Sequence, residues 1–171
     1  TIISNSDEGD YLELTVSFND PVESQNFYLV ETYAIGPWGF LDDGDTIWDV
    51  YDTIKVEMNL TDEAFINDEN LKEGQGLFND LLFNGETKLL KVEIPKGLDF
   101  YDEDYKEYFF KTETLIFYIH NISKSYYYFR TSLELYNQRS GNPFAQPVQV
   151  YSNINNGFGI FAGAQVSSYN L

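Results

Sequence analysis

Four sets of residues in this chain have the types and spacing that chemistry needs. Asp42-Asp43-Gly44-Asp45, with Asp49 and Asp52 close behind, gathers carboxylates on a Gly-bent stretch. Calcium takes about 6–8 oxygen ligands, and such a stretch supplies them. The EF-hand spacing is not met, because the Gly falls between two acids. Asp42, Asp43 and Asp45 therefore stand as candidate Ca²⁺ ligands against the plainer reading of a solvated turn. A glycosidase needs two acids at a set separation in a cleft, but no local motif selects a pair from the 28 acidic residues. His120, the single histidine, would have to be the base of a Ser–His–Asp arrangement. No Gly-x-Ser-x-Gly elbow accompanies it, and a hydrogen-bonded structural histidine at a strand end is the plainer reading. The last set is aromatic. Trp38, between Pro37 and Gly39 in what reads as a loop, and Tyr128, in the run Tyr126-Tyr127-Tyr128-Phe129, are candidate ligand contacts, since amphipathic rings make good contact surface. For Trp38 the competing reading is an anchor plugged into the core. No residue qualifies as catalytic, and a non-enzyme is expected.

These residues must be positioned by a folded, acidic, sheet-rich body. The 171 residues hold 10 Lys+Arg and 28 Asp+Glu, a net charge of −18, with no Cys. Nucleic-acid binding draws most of its affinity from Lys and Arg on phosphates, so that class is excluded, and docking on an anionic leaflet is disfavoured. Without Cys there is no thiol chemistry and no Cys-based metal site. The 14 Phe, 14 Tyr and 2 Trp argue against an acidic disordered chain and lean toward sheet. No apolar run approaches the roughly 20 residues needed to span a bilayer, and nothing at Thr1 to Asp7 reads as a signal peptide.

Period-2 alternation predicts strands at Tyr11–Phe18, Ile54–Leu60 and Leu90–Ile94. Phe27–Ile35 reads as a strand stopped by Gly36-Pro37, and Leu41 to Asp45 as a turn between strands. Thr114–His120 reads as a strand buried on both faces. Thr61 to Glu86 reads as a long excursion held by Phe65, Phe78, Leu81, Leu82 and Phe83, and Asp99–Glu107 as a second acidic stretch. Residues 123–138 read as a helix with Ser123 as N-cap, Ile122 stapled onto Tyr127 and Gly141-Pro143 as the stop. The stripe Ile122, Tyr126, Phe129, Leu133, Tyr136 is its expected buried face. Short β segments follow at Val148–Tyr151 and Phe158–Val166, around the turn Asn155-Asn156-Gly157. The expected fold is a single mainly-β domain over residues 1–171, an antiparallel sandwich-like sheet with one packed amphipathic helix.

The C-terminal stretch Asn142-Pro143-Phe144-Ala145-Gln146-Pro147, then Ser152-Asn153-Ile154, then Asn156-Gly157-Phe158-Gly159-Ile160-Phe161 resembles the closing signature of a Bacteroidota outer-membrane lipoprotein family of unknown function. Asp20-Pro21, Asn26-Phe27-Tyr28, Phe83-Asn84-Gly85 and the Tyr-rich helix match further elements of that family. The resemblance implies an extracytoplasmic accessory or ligand-presenting module, often encoded beside a TonB-dependent receptor. It implies an outer-membrane location through a lipid anchor upstream of this chain, which would then be the C-terminal domain of a longer protein. No cofactor follows from it, no catalytic residue can be carried over, and the ligand is unspecified. An independent glycan- or peptide-binding surface protein is the alternative, and a carboxylate-dependent hydrolase a second one. The signature has a structural reading of its own: Pro143 and Pro147 stiffen the chain, and Gly157, Gly159 and Gly163 permit tight turns. Asn142, Ser152, Asn153 and Phe161 belong to the same signature.

Overall fold

A computed structural model describes residues 2–9, 11–22, 24–42, 45–65, 76–95, 98–101, 107–140 and 146–171, with 2–8, 98–101 and 107–108 described by their backbone alone. The chain builds two antiparallel sheets. The smaller has the order β1 (Ile2–Glu8), β2 (Tyr11–Asn19), β6 (Thr87–Pro95). The larger is organised on β3 (Phe27–Asp42), a 16-residue spine. On one edge β3 pairs first with β9 (Thr114–Ile122) and then with β8 (Glu107–Phe110), which carries β7 (Leu98–Tyr101). On its other edge β3 pairs with β5 (Leu77–Asn79) and then β4 (Asp45–Val56). β10 (Ala164–Asn170) closes the far side of β9. The antiparallel, mainly-β architecture with one helix agrees with the expected fold class.

The alternating strands explain the core. Leu14 and Val16 of β2 and Leu90, Val92 and Ile94 of β6 point inward from the small sheet. They meet Tyr28, Val30 and Ala34 of β3 and Phe117 and Ile119 of β9. Burying side chains of this size contributes roughly 1.5–3 kcal/mol each. The opposite face of the large sheet begins with a second cluster, Phe27, Leu29, Leu77 and Ile122, capped by Tyr127 of the helix α1 (Lys124–Arg139).

Four sequence expectations change. β3 does not stop at Gly36-Pro37. The Lys111 carbonyl approaches so closely that a Cβ on residue 36 would fall on its oxygen, which only glycine permits. The missing N–H of Pro37 lies beside the irregularity between Pro37 and Gly39, where pairing with β4 shifts register. Trp38 therefore sits in a strand and not a loop. β4 starts nine residues before the alternation at Ile54, because Asp45–Thr53 is solvent-exposed and its pattern carries no burial signal. β9 buries Phe117 and Ile119 on the core face and Ile122 on the other, and its remaining residues are half-buried. Val148–Tyr151 is irregular, and the last strand starts at Ala164 rather than Phe158.

The helix has the expected N-cap: the Ser123 hydroxyl accepts from the Tyr126 N–H at 3.4 Å. Ile122 and Tyr127 share one cluster, as the staple requires. The buried positions are nevertheless Tyr127 and Glu134, while Tyr136 is exposed. The helix is seated by the Tyr127 ring on Phe27, 4.8 Å between centroids. That contact turns the inward face by one residue from the apolar stripe. Gly141 and Pro143 lie outside the described residues. In the excursion, Phe65, Phe78 and Phe83 anchor inward as expected, whereas Leu81 and Leu82 are exposed. Asp62 adds a polar pin, with Lys88 Nζ at 2.7 Å and the Lys91 N–H at 3.2 Å.

Candidate functional site

The odd-numbered residues of β3 turn away from the sandwich core, and the register places their neighbours on the same outer face. Helix α1 covers only the end at Phe27 and Leu29. Beyond it the face carries Glu31, Tyr33 and then the far hairpin, with Tyr118 and His120 of β9 on one side and Lys55 and Tyr51 of β4 on the other. Tyr33 meets Tyr118 edge-on at 5.7 Å.

Glu31 is the polar hub of this face. Lys55 Nζ lies 2.6 Å from Glu31 Oε1, and His120 Nε2 lies 3.4 Å from Glu31 Oε2. The histidine approach lacks hydrogen-bond geometry, and His120 Nε2 is buried without a partner. Burial lowers the His120 pKa; the pull of Glu31 opposes this and Lys55 reinforces it. The imidazole is thus held neutral at pH 7. It borders a small cleft of about 190 Å³ with Glu31, Tyr126 and Gly163. His120 lies inside β9 and not at its end, so it is not the hydrogen-bonded strand-end histidine that the sequence suggested.

At the far end, Trp48 lies across Gly39. A Cβ on residue 39 would come within 2.9 Å of the Trp48 ring and 3.0 Å of Phe109. Phe109 packs edge-on to Trp48 at 5.4 Å, and Lys111 Nζ sits over the indole at 5.6 Å. The Tyr51 hydroxyl donates to Glu113 Oε2 at 2.6 Å, and Lys111 Nζ donates to Glu113 Oε1 at 3.2 Å. The hydrogen bond to Glu113 raises the Tyr51 pKa, and the same bond, helped by Lys111, lowers that of Glu113. Trp48 is 46% exposed and Tyr51 62%, with Ile47 and Val50 beside them. This is a fixed aromatic platform with one cation and one anion at its rim.

Of the two readings the sequence left for Trp38, the structure places it as a core anchor. Trp38 faces the core, where it packs on Phe110 at 5.2 Å and donates from Nε1 to Asp52 at 3.3 Å. It is an anchor, whereas Trp48 carries the exposed ring. Even spacing from the core-facing Ile54 would have put Trp48 on the core side; the register shift between Pro37 and Gly39 turns it outward. Tyr128 is exposed as expected, and Lys124 sits over its ring. It lines a groove of about 630 Å³ between α1 and residues 149–152, with Leu135, Val150 and Tyr151. Asp42 and Asp45 pair across the hairpin end, and Asp43 lies outside the described residues. Among the described residues no three His, Asp or Glu side chains gather for a metal.

The remaining motifs converge. Tyr28 donates its hydroxyl to the buried Asp20 carboxylate, which also accepts from the Gly85 N–H at 2.8 Å. Asn26 donates from its backbone to Asp80 Oδ2 at 2.6 Å and from its side chain to the Pro21 carbonyl at 3.1 Å. Phe83 packs near Tyr28 and edge-on to Phe18. Burial and the Asp20 hydrogen bond push the Tyr28 pKa well above its ordinary value. Asp20-Pro21, Asn26-Phe27-Tyr28 and Phe83-Asn84-Gly85 therefore form one lock between the two sheets.

The closing signature is also a built structure. Asn153 bridges Phe161 twice, Nδ2 to the carbonyl at 2.7 Å and Oδ1 from the N–H at 2.8 Å. The Ser152 hydroxyl donates to the Gly157 carbonyl, and the Asn153 N–H to the Gly159 carbonyl, each at 3.3 Å. The turn is closed by Asn156 at φ +56° and Gly159 at φ +138°. Pro147 is exposed; Asn142 and Pro143 lie outside the described residues. A family model described as a domain of unknown function, DUF4249, matches residues 1–170. The chain belongs to the DUF4249 family. The match spans both the lock and the closing loop, so both are parts of this family's domain. Comparison with curated proteins and with solved structures found no match.

Proposed function

We propose that this DUF4249 domain is a non-enzymatic, extracytoplasmic binding module that works with an outer-membrane TonB-dependent receptor and is held at that membrane by a lipid anchor upstream. The observation that carries the binding role is the outer face of the large sheet, where Trp48, Tyr51, Tyr33 and Tyr118 lie beyond the reach of the helix. Aromatic rings flanked by a few charges are the composition of contact surfaces. The buried acids Asp20 and Asp80 accept hydrogen bonds from Tyr28, Gly85 and Asn26, which suits a structural role better than hydrolysis. The membrane and receptor parts rest on the signature resemblance. No described helix is long and apolar enough to cross a membrane. The test is co-purification of the full-length protein with the receptor encoded beside it, in mild detergent. Retention supports the reading, and a clean failure counts against it.

The half-exposed indole of Trp48 beneath Lys111 favours a second reading, an independent glycan- or peptide-binding protein. A glycan array and peptide library test it: binding that Trp48→Ala abolishes supports it, and a blank array removes it.

A further inference from the structure

Asp80 is fully buried, and its carboxylate is only half satisfied. Oδ2 accepts from the Asn26 backbone N–H at 2.6 Å, whereas Oδ1 is buried without a hydrogen-bond partner. A buried oxygen of this kind costs stability unless a donor or a cation meets it. No side-chain cation does so. Among the described residues neither Asp80 nor Asp20 has an ion-pair partner, and both carboxylates act on the Tyr28 hydroxyl. Their donors are the neutral groups of Tyr28, Gly85 and Asn26. Further oxygens converge on the same place. Asn26 Nδ2 lies 2.6 Å from the Ser24 carbonyl, 3.1 Å from the Pro21 carbonyl and 3.3 Å from Asp80 Oδ2. Its two hydrogens therefore face three acceptors. Pro21 and Ser24 are exposed, so the cluster runs from the surface down to the buried carboxylate.

We propose that this cluster is a Ca²⁺ site, in which Asp80 Oδ1 is the anionic ligand and the carbonyl oxygens of Pro21, Ser24 and the Asn26 side chain are the neutral ones. Binding turns the Asn26 amide over, so that its Oδ1 replaces Nδ2 among the oxygens. The cation then answers every acceptor that two hydrogens could not, and the unmatched Asp80 oxygen with them. Asp80 Oδ2 keeps its bond from the Asn26 backbone. Asp20 keeps its bonds from Tyr28 and Gly85 and adds negative field from outside the ligand set. Water supplies the remaining positions toward the about 6–8 that calcium takes. Loop and amide carbonyls suit Ca²⁺, whereas Mg²⁺ demands a near-ideal octahedron and keeps its own waters. With a single carboxylate ligand, the expected dissociation constant is about 10⁻⁴–10⁻³ M. The site is distinct from the acidic hairpin end at Asp42 and Asp45, which lies on β3 and β4.

Thermal melting of the 171-residue chain in CaCl₂, MgCl₂ or EDTA tests the proposal. Ca²⁺ at about 10 mM should raise the melting temperature by roughly 3–10 °C over EDTA, and Mg²⁺ by markedly less. Asp80→Asn should abolish the Ca²⁺ shift, and Asp42→Asn with Asp45→Asn should leave it intact. Amide NMR of the unaltered chain keeps the test open should Asp80→Asn fail to fold. There the Asn26 side-chain amide should move saturably with Ca²⁺ while the amides of Asp45–Thr53 stay in place. No rise in melting temperature, or no movement at Asn26, overturns the proposal and leaves Asp80 Oδ1 to an ordered water. So does a Ca²⁺ shift that Asp80→Asn retains, that Mg²⁺ reproduces in full, or that the Asp42/Asp45 variant abolishes.

Discussion

Replacing Tyr28 by Phe removes one hydroxyl and leaves the ring that packs between Phe18 and Phe78. The oxygen of Asp20 that accepted from Tyr28 is then left inside the protein without that donor, and Asp20 is only 6% exposed. An acceptor stranded in this way costs about 1–3 kcal/mol, toward the upper part of that range for a charged group. In a chain of this length each kcal/mol moves the melting temperature by about 2–4 °C. A central loss near 2 kcal/mol thus predicts a drop of roughly 4–8 °C. Asp20→Ala should cost at least as much, because the Gly85 N–H loses its partner as well. Once Asp20 is gone, Tyr28→Phe should cost little. The double-mutant cycle, measured by urea unfolding, should therefore show a coupling of about 1 kcal/mol or more. Strict additivity, or a Tyr28→Phe variant within about 0.5 kcal/mol of wild type, would refute the claim that this lock joins the sheets.

Three further perturbations probe other parts. Gly36→Ala should be severely destabilising, beyond the about 1–3 kcal/mol of ordinary overpacking, because its Cβ meets backbone at Lys111; thermal melting checks it. His120 has a folded pKa below its ordinary 6.5, so the unfolded chain takes the proton first as pH falls. Its contribution is harmless above about pH 6.5 and costs stability below it. His120→Gln should accordingly flatten the fall in stability below about pH 6.5, and an NMR titration should place the imidazole midpoint below 6.5. Tyr51→Phe should let the Glu113 pKa rise toward the ordinary carboxylate value, since the Tyr51 hydrogen bond is the largest cause of its depression. Carboxyl-carbon NMR reads that shift.

The neighbouring strands β2 and β6 of the small sheet were legible because one face is buried and the other wet, which is what alternation encodes. The helix cap was legible for a similar reason, since Ser123 and Ile122 act locally. The exposed hairpin Asp45–Thr53 was not, because solvent-facing strands leave no hydrophobic period. Nor was the passage of β3 through Gly36-Pro37, which depends on the backbone of Lys111, distant in sequence. Trp38 and Trp48 could be told apart only by register: the first shares the core face with Phe110, the second lies over Gly39 on the outside. The lock of Asp20, Tyr28 and Gly85 was written in three short motifs whose meeting point only the fold reveals.

The outer face of the large sheet is proposed as the contact surface of a receptor-associated module. Its most direct test is co-purification of the full-length protein with the neighbouring receptor, comparing wild type with Trp48→Ser/Tyr51→Ser, two exposed positions whose loss leaves the sandwich core intact. Wild type is expected to retain the receptor and the double variant to lose it. Retention by the double variant at wild-type level, or no retention by either, would contradict it.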